Sequence, residues 1–215
     1  MPTLGIIGAD AIGSQLARLA VTHGYDVVIG DPRGSSASDQ LAAELGAAAR
    51  SATVPDAAAA DIVIIDTPLA EVAALPADAL VGRIVIDTGN YFPGRDGHIP
   101  ELDDETATVS ERLQVFLPGA HVVKAFNHLP AASLTTDARP AGAPDRRAAI
   151  VAGNDAHSRE AVTAVIGDFG FDVIDLGPLA EGWRIQRDTP GFGRCLDAFD
   201  LREAVTAAIR YRDME

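Results

Sequence analysis

The sequence contains one cysteine and one lysine, and the cysteine count excludes two kinds of site. Its 215 residues include one cysteine, Cys195, so an intrachain disulfide and a thiolate metal cluster are both excluded. We interpret Cys195 as a packing residue. The 17 basic residues include a single lysine, Lys124, which we interpret as a compositional habit of an arginine-rich protein without functional meaning.

Positive charge and long apolar runs are also lacking. The formal net charge is −14 at pH 7, which argues against nucleic acid or an anionic membrane as partner, since neutralising phosphates requires a basic surface. An anionic ligand would need a local positive site. No apolar run approaches the roughly 20 residues that span a bilayer, and the amino terminus does not resemble a signal peptide. We therefore expect a cytoplasmic protein.

Short apolar runs alternate with longer amphipathic segments. The runs cover residues 3–8, 26–30, 61–66, 83–88, 121–126, 147–153 and 171–177. Near-continuous Val and Ile runs are typical of parallel strands buried on both faces. Helices are predicted at 11–24, 36–46, 106–119, 158–170 and 196–212. The alternation predicts an α/β fold with a Rossmann-like doubly wound, mostly parallel sheet.

Two polar connections interrupt the alternation of predicted strands and helices. Residues 135–146 are rich in proline, so we predict a dinucleotide-binding domain over 1–134 and a smaller C-terminal α/β subdomain over 135–215, packed on it. Residues 89–105 form a long loop with prolines, glycines and aromatics. Loops of that length are usually functional, and we expect this one to cover a ligand.

The stretch GIIGADAIGSQLARLA (5–20) carries a modified phosphate-binding fingerprint. Gly8 and Gly13 match the first and third glycines of G-x-G-x-x-G between a strand and a helix, where backbone N–H groups bind a pyrophosphate. The middle glycine is replaced by an aspartate. The predicted cofactor-binding loop consists of Gly8, Ala9, Asp10, Ala11 and Ile12.

Asp10 stands where a phosphate should come closest. A carboxylate about 4 Å from a phosphate charge costs roughly 1 kcal/mol in water and about 4 kcal/mol at an effective dielectric constant near 20. Two orientations of its side chain stay open. It turns outward and leaves the site free, or it caps the helix and itself occupies the place of the phosphate.

The end of the second strand carries two conflicting signals. Asp31 lies about 20 residues past the loop, where an acid accepts hydrogen bonds from a ribose 2′-hydroxyl and favours NAD. Arg33 precedes Gly34 and two serines, a pattern that suits a 2′-phosphate and favours NADP. NADP is the predicted cofactor and NAD the alternative. A solvated turn without a ligand is the structural alternative.

Four segments together resemble the bacterial NADPH-dependent coenzyme F420 reductases, also called F420-dependent NADP oxidoreductases. They are residues 5–34, 86–106, 117–129 and 171–190, and the resemblance runs from about Leu4 to Arg187. It implies hydride transfer between a nicotinamide and coenzyme F420 as co-substrate, in a homodimer. Such chemistry depends on positioning two rings and needs no acid–base triad.

The resemblance also implies further site residues. Thr67, Pro68 and Leu69 match a turn beside the nicotinamide ribose, and Asn90, Ala125 and Asn127 match segments that line the cleft. His128 is the one candidate catalytic residue. Thr67 and Pro68 alternatively form a plain turn, and Asn90 alternatively binds its own loop. No histidines have metal-ligand spacing, so no metal is predicted.

Two functions of different class follow. The first is an NADP(H)-dependent oxidoreductase that transfers hydride between a nicotinamide and coenzyme F420, or a related flavin-like or small-molecule acceptor. The second is a Rossmann-fold homologue that has lost nicotinamide binding and acts as a non-redox ligand- or partner-binding protein.

Overall fold

An eight-stranded sheet organises residues 2–210, which are the residues that the computed structural model describes. The strands are β1 (Leu4–Ile7), β2 (Val27–Gly30), β3 (Ala49–Ser51), β4 (Ile62–Ile65), β5 (Ile84–Asp87), β6 (His121–Ala125), β7 (Ala148–Gly153) and β8 (Asp172–Asp175). Their order across the sheet is β3-β2-β1-β4-β5-β6-β7-β8. All neighbours are parallel except β6 and β7, which are antiparallel.

The apolar runs form the strands because helices cover both faces of the sheet. Every residue of β1, β2 and β4 is buried. The prediction of a Rossmann-like, mostly parallel α/β sheet is confirmed, and so are its seven predicted strands. Only β3 was missed, since its three residues lie at the sheet edge and contain no apolar run.

Helices connect these strands. They are α1 (Ala11–Thr22), α2 (Ser35–Leu45), α3 (Val54–Ala58), α4 (Pro93–Asp96), α5 (Pro100–Asp103), α6 (Val109–Phe116), α7 (Ala131–Thr136), α8 (Ala156–Asp168) and α9 (Ala198–Thr206). The predicted helix at 106–119 is observed only over Val109–Phe116, and it begins with a capping box in which Thr108 is the N-cap and Glu111 lies in the first turn. The predicted helix at 196–212 is observed as α9, and residues 211 and 212 lie outside the described residues.

Three apolar clusters stabilise the layers. One contains Leu16 of α1, Phe126 and Phe169; Cys195 packs against it, as predicted. The second, which contains Leu80 and Leu113, includes the side chains of β4 that alternate with those of the first cluster. The third joins α9 to β7 and β8. The single sheet contains strands from both sides of the predicted domain boundary at residue 134, because β7 pairs with β6.

The strand order reverses between β1 and β4. From β1 the chain builds outward to β2 and β3 on one side and to β4 and β5 on the other. In open α/β sheets, ligands bind outside the carboxyl ends of the strands at such a switch point. The fold therefore places the carboxyl ends of β1 and β4, and the amino terminus of α1, at the expected position of a ligand cleft.

The two fingerprint glycines are required by the close packing of the turn before α1 against Asp66, which follows β4. Gly8 has a φ of 96°, and a Cβ on it would lie 2.2 Å from the Asp66 carbonyl oxygen. A Cβ on Gly13 would lie 2.6 Å from the Gly8 carbonyl oxygen and 3.1 Å from the Asp66 Cβ. The glycines thus allow the end of β4 to lie directly against the start of α1.

Replacing Gly8→Ala tests this contact. We expect a loss of about 2–5 kcal/mol in the free energy of unfolding, because backbone strain adds to a clash with main-chain atoms. Gly82→Ala is the matched control: Gly82 has a φ of 73° but no atom within 4 Å of the added methyl group. It should cost about 1–2 kcal/mol. Equal losses in denaturant unfolding of the two variants would contradict the close contact.

The helices within residues 2–210 are short. None of them is both long enough and apolar enough to cross a membrane.

Candidate functional site

Two cavities flank the amino terminus of α1. The β2 cavity has a volume of about 730 Å³ and is lined by residues of the β2–β3 edge, including Asp31, Pro32, Arg50 and Thr53. The β4 cavity has a volume of about 200 Å³. It is lined by Asp10, Ala11, Ile12, Asp66, Thr67, Pro68, Thr88, Gly89, Asn90, Phe92 and Arg95. The structure therefore brings most of the predicted cofactor residues to one edge of the sheet.

The Asp10 side chain takes neither of the two orientations that the sequence left open. It occupies the cap position of α1 but makes no capping hydrogen bond. Instead its Oδ1 accepts a hydrogen bond from the Nη2 of Arg33 at 2.8 Å. The side chains of this ion pair are 44% and 43% exposed, respectively. Asp10 is thus directed toward the end of β2.

Arg33 joins Asp10 to Asp31. Its Nε donates to Asp31 Oδ1 at 3.1 Å, and its Nη2 donates to Asp31 Oδ2 at 2.9 Å. Asp31 also accepts from the Ala9 N–H at 3.3 Å. Burial raises the pKa of Asp31, but the hydrogen bonds from Arg33 and Ala9 outweigh burial and lower it. The cation predicted for a 2′-phosphate is therefore held by two carboxylates.

Asp66 is a site residue that the sequence analysis missed. Its Oδ2 accepts a hydrogen bond from the Gly13 N–H in the first turn of α1 at 2.6 Å. Its Oδ1 accepts from the Thr88 hydroxyl at 2.9 Å. Burial raises the pKa of the Asp66 carboxyl, and the hydrogen bonds from Gly13 and Thr88 offset part of that effect. A carboxylate from β4 thus caps the helix on which a pyrophosphate should bind.

Lys124 belongs to a buried polar network, although its rarity was interpreted as compositional. Its Nζ donates to the Gly89 carbonyl oxygen at 2.8 Å and lies 3.6 Å from Asp87 Oδ2. Asp87 also accepts from Ser110 Oγ at 2.5 Å and from the Gly89 N–H at 2.8 Å. Burial lowers the pKa of Lys124. The network fixes the backbone where β5 enters the cleft.

A third cavity lies on the other side of this backbone. The β6 cavity has a volume of about 90 Å³, and its lining includes Tyr91, Lys124, Gln186 and Arg187. Gly89 and Asn90 line both this cavity and the β4 cavity, so they form a wall shared between the two. Any ligand group in the β6 cavity would be separated from the β4 cavity by that wall.

Asn90 and Asn127 bind each other across the ends of β5 and β6. Asn90 Nδ2 donates to the Asn127 carbonyl oxygen at 2.8 Å, and Asn127 Nδ2 donates to Asn90 Oδ1 at 3.1 Å and to the Ile185 carbonyl oxygen at 3.0 Å. The side chain of Asn90 therefore bonds β6 rather than its own loop. Phe126, which precedes Asn127 and is fully buried as predicted, has a φ of 62°, which is unusual for a bulky residue.

The remaining predicted residues lie behind or beside the two large cavities. Ala125 and Asn127 are buried beneath the wall, and Leu69 lines a small separate pocket with Thr67. Gly8 and Ala9 form the turn before α1. His128 is 1% exposed and lines none of the three cavities described above. Burial lowers its pKa to about 4, so its ring is neutral near pH 7.

The long loop after β5 folds over the site through α4 and α5. The Tyr91 hydroxyl donates to Asp103 at 2.6 Å and accepts from the Ile99 N–H at 3.1 Å. Arg95 lies over the Phe92 ring, 5.0 Å from its centroid, and lines the β4 cavity. Arg95 thus adds a positive charge to the β4 cavity, and it is a further site residue that was not predicted from the sequence.

His128 makes acid stability a test of the buried site. The unfolded chain protonates a histidine near pH 6.5, whereas the folded protein resists protonation until about pH 4. The free energy of unfolding should therefore fall by about 3 kcal/mol as the pH drops through that window. His128→Leu should remove this loss, and His121→Gln, at an exposed position, should retain it. Identical pH profiles for all three proteins in chemical denaturation would contradict the burial of a neutral ring.

Comparison with known proteins identifies similar families and structures. Residues 3–91 match the family described as NADP oxidoreductase, coenzyme F420-dependent. A hypothetical protein from Sinorhizobium meliloti is 32% identical over 91% of this chain and 95% of its own, with a TM-score of 0.80. A protein from Arthrobacter sp. FB24, provisionally assigned as an F420-dependent NADP reductase, is 28% identical over 83% of this chain and 86% of its own, with a TM-score of 0.69.

Larger dehydrogenase-type proteins share the fold. An imine reductase from Myxococcus stipitatus, solved in complex with NAD⁺, is 20% identical over 82% of this chain and 54% of its own, with a TM-score of 0.60. At that identity the likeness extends to the fold alone.

Proposed function

We propose that this chain, which belongs to the family of coenzyme F420-dependent NADP oxidoreductases, binds NADP(H) across the amino terminus of α1. Its general activity is that of a nicotinamide-dependent oxidoreductase. The two cavities on either side of that terminus are the observation that carries this proposal. A dinucleotide consists of two halves joined by a pyrophosphate. The β2 cavity offers about 730 Å³ for the adenosine half, and the β4 cavity about 200 Å³ for the nicotinamide half.

The two cavities can contain the two halves of a dinucleotide, but the charged groups of the cleft favour only part of it. Arg33 and Arg50 lie at the β2 cavity and Arg95 lines the β4 cavity, so each half of the cleft contains a cation. Asp10 and Asp66, however, stand at the amino terminus between them. The residues present thus fit the two ends of the cofactor and oppose its pyrophosphate.

NADP(H) is favoured over NAD(H) by Arg33. The Arg33–Asp10 pair is exposed, and exposed pairs are worth about 0–1 kcal/mol, so a 2′-phosphate could draw the guanidinium away from Asp10 at little cost. Asp31 is only 2% exposed and would keep the arginine in place through the remaining bonds. Asp31 then acts as a support for Arg33 rather than as a ribose ligand.

The residues of the β4 cavity would position the reacting ring. Thr67, Pro68 and Asn90 line it, and Asn90 is fixed by two hydrogen bonds with Asn127. When bound, the nicotinamide would supply or accept the hydride. Hydride transfer requires that two rings be held at the right distance and does not require a side chain as acid or base. The buried neutral His128 is consistent with such chemistry.

The acceptor is proposed to be coenzyme F420 or a related flavin-like or small molecule. The β6 cavity cannot contain a three-ring deazaflavin, because its volume of about 90 Å³ is below the roughly 150 Å³ of a cavity that accommodates benzene. A deazaflavin would therefore lie in the open cleft beside the β4 cavity. A small acceptor would also have to lie there, because the wall of Gly89 and Asn90 separates the β6 cavity from the nicotinamide half.

Replacing Arg33→Gln tests the cofactor assignment. Losing a charge-assisted contact worth about 1.5–3 kcal/mol should weaken NADPH binding roughly tenfold to a hundredfold, while NADH binding changes little. Titration followed by nicotinamide fluorescence measures both. Arg18→Gln is the matched control, since Arg18 also pairs with a carboxylate but does so with Glu44 of α2, whereas Arg33 bonds to Asp10 and Asp31 at the proposed site. Equal losses for NADPH and NADH would show that Arg33 does not contact a 2′-phosphate.

Reduction of coenzyme F420 by NADPH tests the acceptor. We expect the F420 absorbance to decrease with time in the presence of protein and NADPH, and no decrease without protein. Parallel assays with FMN and with a small ketone measure the other two acceptor classes. If NADPH binds but only the ketone is reduced, the deazaflavin assignment is wrong and the acceptor is small.

The alternative is a Rossmann-fold homologue that has lost nicotinamide binding and serves as a non-redox ligand- or partner-binding protein. The observation that favours it is the set of carboxylates, Asp10, Asp31 and Asp66, around the amino terminus of α1. Absence of both NADPH and NADH binding at millimolar concentration would overturn the oxidoreductase proposal and leave this alternative.

A further inference from the structure

The first turn of α1 already has an anionic partner. The first bond within the helix runs from the Ser14 N–H to the Asp10 carbonyl oxygen at 3.0 Å, so the preceding N–H groups have no acceptor inside the helix. These N–H groups are the ones that bind phosphates in dinucleotide sites. Here the Gly13 N–H donates to Asp66 Oδ2 at 2.6 Å. The site of a pyrophosphate is thus partly filled by the protein's own carboxylate.

The position of Asp66 is fixed from three sides. Its N–H donates to the Ile7 carbonyl oxygen at 2.9 Å, its Oδ1 accepts from Thr88 at 2.9 Å, and its carbonyl oxygen lies against Gly8. The carboxylate cannot be withdrawn without moving the end of β4 or breaking these bonds. A phosphate that approached the Gly13 N–H would therefore meet Asp66 at close range.

The charges around Asp66 do not compensate for it. Asp10, the N-cap residue of α1, is close enough for its negative charge to raise the pKa of Asp66 further. Arg33, from the end of β2, is engaged by Asp10 and Asp31. Arg95 of α4 lines the same cavity but is paired with Asp96. Thr88, after β5, is neutral. An ionised Asp66 would repel a phosphate, whereas a protonated Asp66 could donate its O–H to one.

We propose that Asp66 determines which ligands the α1 amino terminus accepts, because its carboxylate competes with a pyrophosphate for the Gly13 N–H and a dinucleotide binds with uptake of a proton at Asp66. This inference rests on the proposed cofactor site. The sign follows from charge: a bound phosphate favours the protonated carboxyl, so its pKa rises on binding. Affinity should then increase as the pH falls through the window between the pKa values of the free and bound proteins.

Asp66→Asn is suited to test this inference because it preserves the local bonds. The asparagine Oδ1 can accept from the Gly13 N–H, and its amide can donate to the Thr88 hydroxyl. That hydroxyl already contacts the Ile65 carbonyl oxygen at 3.0 Å and can continue to donate to it. The variant therefore removes the charge and the titration while retaining the cap of α1.

The experiment is isothermal titration calorimetry with NADH in two buffers that differ in ionisation enthalpy. NADH is chosen because it lacks the 2′-phosphate, a group that itself titrates near pH 6. We expect the wild-type protein to take up protons on binding and to bind more weakly as the pH rises from below to above the window between the pKa values of Asp66 in the bound and the free protein. Asp66→Asn should bind at least roughly tenfold more tightly at the higher pH, without proton uptake.

Asp10→Asn is the matched control, since it removes the neighbouring carboxylate that does not bond to Gly13. It should retain proton uptake and change the affinity less than Asp66→Asn does. If Asp66→Asn binds NADH with the affinity and proton uptake of the wild type, the inference is overturned while the proposed function stands. If the wild type, both variants and NADPH in place of NADH all give no binding, the proposed function fails and the inference with it.

Discussion

The contact between the end of β4 and the first turn of α1 determines the character of the whole cleft. The Asp66 carbonyl group lies so close to Gly8, and the Gly8 carbonyl oxygen and the Asp66 side chain lie so close to Gly13, that neither position accommodates a side chain. That approach separates the β2 cavity from the β4 cavity and places a carboxylate on the Gly13 N–H. The fingerprint glycines therefore serve the packing of two strand ends as well as any ligand.

Two carboxylates oppose a pyrophosphate, but they differ in how firmly they are held. Asp10 is about half exposed and pairs with Arg33 on the surface, an interaction worth about 0–1 kcal/mol, so it can turn away from a ligand. Asp66 is half-buried and held by Gly13 and Thr88. Its charge can be removed from the site by protonation more readily than by movement. Asp10, the residue that departs from the fingerprint, is thus a smaller obstacle to a pyrophosphate than Asp66 is.

The sequence predicts the fold well because parallel strands that are buried on both faces need short, near-continuous apolar runs, and those runs can be recognised locally. It also locates Asp10, Asp31 and Arg33, because the fingerprint has a known spacing of about 20 residues between its loop and the end of the second strand. Asp66 could not be found in the same way, since its partner Gly13 is 53 residues distant and only the pairing of β4 with β1 brings them together. Lys124 was overlooked because composition does not show that Asp87 and Gly89 enclose it.

The most direct measurement concerns the unliganded protein. In a series of NMR spectra recorded against pH, the amide proton of Gly13 reports on the carboxylate that accepts its hydrogen bond. We predict a large change in its chemical shift with a midpoint above the usual range of an aspartate, and its loss in Asp66→Asn. A Gly13 amide that does not titrate, or that follows Asp10 instead, would contradict the view that Asp66 occupies the amino terminus of α1.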